Sequence, residues 1–130
     1  MTQKIDDLWP TDIGMEPPDK APFIILREQA EKLGEKTSNI VEAQVSAEPS
    51  ADGESLDLRL TLVAPALGGY EYVLLRAKQP VDLYPVKMEF EGSGWIANEE
   101  SGFRGYLRSL FNSVRTRKII SNLIAQSKNA

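Results

Sequence analysis

Apolar and polar positions alternate with a period of two along four stretches of the chain. Over 41–48, Val41, Ala43, Val45 and Ala47 alternate with Glu42, Gln44, Ser46 and Glu48. Over 56–63, Leu56, Leu58, Leu60 and Leu62 alternate with Asp57, Arg59, Thr61 and Val63. This period predicts strands with one buried face. Leucine is a mediocre strand former, so the pattern outweighs propensity in the second. A third strand is predicted over 70–78, where Tyr70, Tyr72 and Leu74 oppose Val73, Leu75 and Ala77. Apolar residues on both faces predict a central strand covered, at least in part, on both sides. A fourth is predicted over 83–91, with Tyr84, Val86, Met88 and Phe90 on one face and Pro85 marking an edge.

Helical spacing brackets these strands. Phe23, Leu26, Ala30 and Leu33 form one stripe of a helix over 22–36, opened by Pro22 in the first turn. Glu28 and Lys32 stand in the favourable i, i+4 order for an ion pair. After Gly92, Ser93 and Gly94, which are expected to end the sheet, Asn98 is a candidate helix cap followed by Glu99 and Glu100. Phe103, Leu107, Leu110 and Phe111 make one stripe and Ile119, Ile120, Leu123 and Ile124 another, with Ser113 able to cap the second. The pattern leaves open whether 99–126 is one bent helix or two. Short linkers exclude parallel crossovers of a dozen residues. The predicted fold class is therefore α+β: an N-terminal helix, a four-stranded antiparallel meander, and one bent or two C-terminal helices packed on the sheet.

Residues 1–21 carry no such period. They hold Pro10, Pro17, Pro18 and five acids, and read as an extended acidic arm ahead of a single domain over 22–130. Leu8, Trp9, Ile13 and Met15 are its large apolar residues. Two outcomes are expected of them: Trp9 tucked onto the chain's own domain, or an arm that docks on another chain. Residues 1–10 lack the basic start and apolar run of a signal peptide. The longest apolar runs fall far short of the ~20 residues that span a bilayer. The expectation is a cytoplasmic protein without a membrane partner.

Charge sharpens the picture. The net charge of −4 conceals −10 over 1–100 and +6 over 101–130, a segment with six bases and no acid. Such segregation points to an interaction surface. Arg104, Arg108, Arg115, Arg117 and Lys118 are the candidate binding residues, with Trp95 as a candidate anchor in a glycine-rich loop.

Candidate chemistry is sparse. The chain has no Cys and no His, which removes thiolate chemistry and the commonest neutral-pH acid/base and metal ligand. The run from Gly92 to Ala97 fits G-x-G-x-x-A, but the dinucleotide mechanism needs a following parallel strand bearing an acid, and only helical pattern follows. A structural turn is the expectation. Asp52, Glu54 and Asp57 cluster at the first hairpin and read as a solvated turn. No cofactor, metal site or catalytic residue is assigned. The expected function is a non-enzymatic protein-binding or self-associating module, with another protein or a second copy as partner. The alternatives are a nucleic-acid-associated regulator using the basic C-terminal helices, and, least expected, a carboxylate-based hydrolase or metal-dependent enzyme.

Overall fold

The computed structural model describes residues 4–130; the first three residues of the arm lie outside it. Helix α1 spans Pro22–Lys36. Five strands follow: β1 Glu42–Pro49, β2 Ser55–Ala64, β3 Tyr70–Pro80, β4 Val86–Phe90 and β5 Ser93–Ala97. Helices α2, Glu100–Phe111, and α3, Val114–Lys128, close the chain. The α+β architecture is the one the pattern predicts. All neighbouring strands are antiparallel, in the order β1-β2-β3-β4-β5.

The fifth strand corrects the expected four. Gly92 does not end the sheet. Phe90 pairs with Ser93, so Glu91 and Gly92 form a two-residue hairpin turn, with φ of 49° and 81°. Positive φ at both central positions is the turn that matches strand twist, and Gly92 supplies the second at no steric cost. The G-x-G-x-x-A run therefore lies on this turn and on β5. β4 has neighbours on both sides, and the sheet's edges are β1 and β5. Pro85 precedes β4 and marks no edge.

The two-faced apolar pattern of β3 has a local cause. Register passes from Leu60 opposite Leu75 to Thr61 opposite Val73, which leaves Leu74 without a partner on β2. The extra residue of this bulge shifts the alternation by one. Leu74 and Leu75 are both buried as a result. β3 is central, as expected, but its second face is open: Arg76 and Lys78 on it are exposed.

All three helices lie on the other face. Leu58, Leu60 and Leu62 of β2, Leu75 and Ala77 of β3, and Val86 and Met88 of β4 meet Ile25 and Leu26 of α1, Phe103, Leu107 and Leu110 of α2, and Ile119 and Leu123 of α3. α1 packs mainly on β1, α2 on β5, and α3 on a single 3-10 turn over Pro65–Leu67.

The helix ends show how the fold is pinned. Ala21 cannot cap α1 with its side chain. Gln79, buried on β3, accepts the Phe23 N–H at 3.0 Å instead. The C-terminal region is two helices. Ser113 caps α3 as expected, accepting the Thr116 N–H at 3.2 Å. Asn98 does not cap α2; the capping position is Glu99, which makes no side-chain cap bond. Glu28 pairs with Lys20 at 2.9 Å rather than with Lys32, whose partner is Glu35 at 3.6 Å. No helix among the described residues is long and apolar enough to cross a membrane.

Candidate functional site

The basic residues singled out by charge are distributed rather than gathered. Arg104 and Arg108 stand one turn apart on α2. Arg104 donates from Nε to Glu100 Oε2 at 2.7 Å, whereas Arg108 is exposed and has no ion-pair partner among the described residues. Arg115, at the start of α3, reaches across to the β4–β5 turn and donates from Nε to Glu91 Oε1 at 2.6 Å. That bond and charge raise the Arg115 pKa above its ordinary value, so it stays a cation. Arg117 and Lys118 are exposed beside it in the first turns of α3, where positive charge opposes the helix dipole.

Trp95 sits on β5 directly opposite Met88, on the helix-covered face. It packs on Tyr106 of α2, ring centroids 5.2 Å apart, and remains about half exposed. It is partly a cover for the sheet's β5 margin. Tyr70, Tyr72 and Tyr84 do not form a cross-strand cluster. Tyr70 is exposed, Tyr72 reaches Glu91, and Tyr84 packs edge-on against Phe103 at 6.5 Å while donating its hydroxyl to the Lys20 carbonyl at 2.8 Å. Burial, together with the charges of Glu100 and Asp19, pushes the Tyr84 pKa up to about 12. Asp52 is occupied within the first hairpin, accepting from Ser50 Oγ at 2.5 Å and from the Glu54 N–H at 2.9 Å.

Three further features bear on function, the last two of them not singled out by sequence. The first is the state of the arm, one of the two outcomes expected above. Residues 4–21 form no helix or strand beyond a turn over 11–14. Ile5, Leu8, Trp9, Ile13 and Met15 are 63% to 91% exposed. Trp9 is not tucked onto the domain. The arm joins the body at Lys20, whose N–H donates to Glu100 Oε1 at 2.6 Å and whose carbonyl accepts from Tyr84. Single exposed apolar residues are ordinary, but five within eleven positions need a partner surface or a cost in solubility.

The second is a cleft on the helical layer. α1 and α3 leave part of the sheet thinly covered between them. A cavity of about 320 Å³ opens there, with Leu33, Leu60, Leu62, Leu74, Phe111 and Ile120 among its walls and Lys32 and Lys36 on its rim. An adjoining cavity of about 260 Å³ between α1 and α2 shares Gln29, Phe111 and Asn112 with it and adds Arg104 and Arg108. No carboxylate lines either one. Lys32 and Lys36 were legible as neighbours one helical turn apart; that Arg108 of α2 lines the adjoining cavity was not.

The third is the open sheet face. Arg59 lies directly opposite Arg76, and Lys78 directly opposite Lys87. These four cations lie on the middle three strands around a shallow concavity of about 580 Å³, with Asp57 directly opposite Lys78, Glu89 directly opposite Arg76, and Glu48 opposite Asp57 on β1. None of the four is in an ion pair among the described residues. Like charges placed opposite each other lower sheet stability.

Compared with known proteins, the chain matches no family model, no curated protein and no solved structure.

Proposed function

We propose that this chain is a non-enzymatic protein-binding module whose contact element is the acidic, apolar N-terminal arm. The observation that carries the reading is the exposure of Ile5, Leu8, Trp9, Ile13 and Met15 on a segment whose hydrogen bonds to the body, among the described residues, are made at Lys20. Asp6, Asp7, Asp12 and Glu16 are interleaved with them, and no base lies between Ile5 and Glu16. A segment of this kind gains affinity by inserting aromatic and aliphatic anchors into a pocket, while its charges select a basic rim. The body supplies a rigid mount: a sheet backed by three helices.

Other readings have less support. The C-terminal bases divide between the α1–α2 cleft, the β4–β5 turn and exposed positions on α3, which gives little basis for a continuous phosphate track. Of the first-hairpin acids, Asp52 is occupied within the turn, and Asp57 lies on β2 opposite Lys78.

The test is substitution of Leu8, Trp9 and Ile13 by Ser in the full chain. These side chains are exposed in the single chain, so the thermal midpoint measured at high dilution should stay unchanged. Partners that co-purify with the unaltered chain from its native cell should be lost. Retention of every partner by the triple variant rejects the arm as contact element.

A further inference from the structure

The arm and the cleft are complementary in two independent respects. Over 5–16 the arm is apolar and carries four acids without a base. The two joined cavities on the helical layer have an apolar floor, with Leu33, Phe111 and Ile120 part-exposed, and a rim of Lys32, Lys36, Arg104 and Arg108 without an acid. The other surface concavities would offer the arm charges of both signs: the open sheet face has three carboxylates around its cations, and the cavity on the far flank of α1 includes Glu28 and Glu31.

We propose that the arm of one chain docks in this cleft on a second copy of the same chain, and reciprocally, giving a two-fold dimer by arm exchange. The inference rests on the arm being the contact element and names its partner. Trp9 and Leu8 fill the apolar floor. Asp6, Asp7, Asp12 and Glu16 face Lys36, Arg108 and Lys32, which also lies 3.6 Å from Glu35; Arg104, held by Glu100, lines the second cavity. An isologous exchange forms the same contact twice, so two arms and two clefts are covered in one closed assembly. Stable dimers commonly bury ~1,200–2,000 Å² in total, a scale that two twelve-residue arms in grooves can supply. Reach is sufficient: from Lys20 to Trp9 the chain can extend ~36 Å. The same reach covers the chain's own cleft, which lies only ~17 Å along the α1 axis from Pro22. Within the single chain, however, the arm's apolar side chains face solvent and not that cleft.

The experiment uses the full chain with Trp95→Phe, which leaves Trp9 as the sole indole. Sedimentation velocity should show a species of twice 14.5 kDa that dissociates on dilution, and Trp9 emission should shift to the blue with the same concentration dependence. Leu8→Ala with Trp9→Ala, measured on the natural Trp95 background, should weaken dimerisation at least tenfold. Lys32→Glu, Lys36→Glu and Arg108→Glu together should do the same. Mixing the arm variant, whose cleft is intact, with the cleft variant, whose arm is intact, should restore a heterodimer through one productive contact. Circular dichroism of both variants guards against loss of the fold. A monomer at all concentrations overturns the proposal, as does a dimer that neither variant weakens. A concentration-independent blue shift overturns it in favour of the arm occupying its own cleft. A monomer that still loses its co-purifying partners with the arm overturns the exchange and leaves the proposed function standing; partners indifferent to the arm overturn the latter.

Discussion

The Phe23 N–H donates to Gln79 Oε1 at 3.0 Å, so that a buried side chain of β3 caps the first turn of α1. Ala21 occupies the position where Ser, Thr, Asp or Asn would serve this role locally. The helix start is thus specified by a residue 56 positions away. Truncating the amide leaves a part-buried donor unpaired and opens a small void. Gln79→Ala should destabilise the chain by about 1–3 kcal/mol. Chemical denaturation should show a lower midpoint with little change in slope. An unchanged midpoint would mean that Phe23 finds water as a substitute.

Acid should loosen the root of the arm. The Glu100 carboxylate accepts the Lys20 N–H and is paired with Arg104, and both interactions hold its pKa below the ordinary value of 4.5. A carboxylate whose pKa is lower folded than unfolded contributes stability that is complete above the unfolded value. That contribution is lost as pH falls through the folded value. Glu100→Gln removes it at every pH. The unfolding midpoints of the parent and Glu100→Gln should therefore differ by a constant amount from neutrality down to about pH 5 and converge below the ordinary carboxylate range. A difference that grows on acidification would contradict this assignment.

The open sheet face offers a gain in stability. Lys78 stands directly opposite Asp57 of β2 on one side and Lys87 of β4 on the other. Lys87→Glu places a carboxylate opposite Lys78 and removes one repulsion. The expected gain is about 0.2–1 kcal/mol at low salt, shrinking as ionic strength rises. Thermal melts at two salt concentrations read both effects. If the substitution destabilises at low salt, its new charge is dominated by Glu89, two residues along the same strand face, and the pairwise account fails.

Elements whose causes are local were legible before the structure. The stripe from Phe23 to Leu33 and the proline at the start of α1 are contained within fifteen residues, and α1 spans Pro22–Lys36 as read. Ser113 caps α3 through a bond three residues long. Elements decided by register or by distant contacts were not. Nothing in the apolar run Tyr72 to Leu75 says that Leu74 is an unpaired bulge residue rather than part of a face covered on both sides. The β5 segment is short, contains Gly94, and follows glycines that read as a terminator, although Glu91 and Gly92 make a tight hairpin. The basic C-terminal residues were visible, but their division was not, because Glu91 and Glu100 reach Arg115 and Arg104 only once the chain is folded or helical. The arm's acid and apolar content was plain in the sequence; that its anchors stand free of the body was one of two open outcomes.

The packing of Trp95 on Tyr106 leads to a final prediction, of the opposite sign to most substitutions. The Tyr106 hydroxyl is buried and has no hydrogen-bond partner among the described residues. Burial raises its pKa above the ordinary value of 10, so the group is a neutral phenol at neutral pH. A buried hydroxyl that exchanges water for no partner costs about 1–3 kcal/mol relative to a satisfied one. Phenylalanine keeps the ring, and with it the 5.2 Å contact to Trp95, while deleting the unsatisfied oxygen. Tyr106→Phe should therefore stabilise the chain, by up to about 1 kcal/mol after allowance for relaxation around the hydroxyl. The denaturation midpoint should rise while the Trp95 near-ultraviolet dichroism stays unchanged. A fall in the midpoint would show that the hydroxyl has a partner, such as an ordered water, in solution.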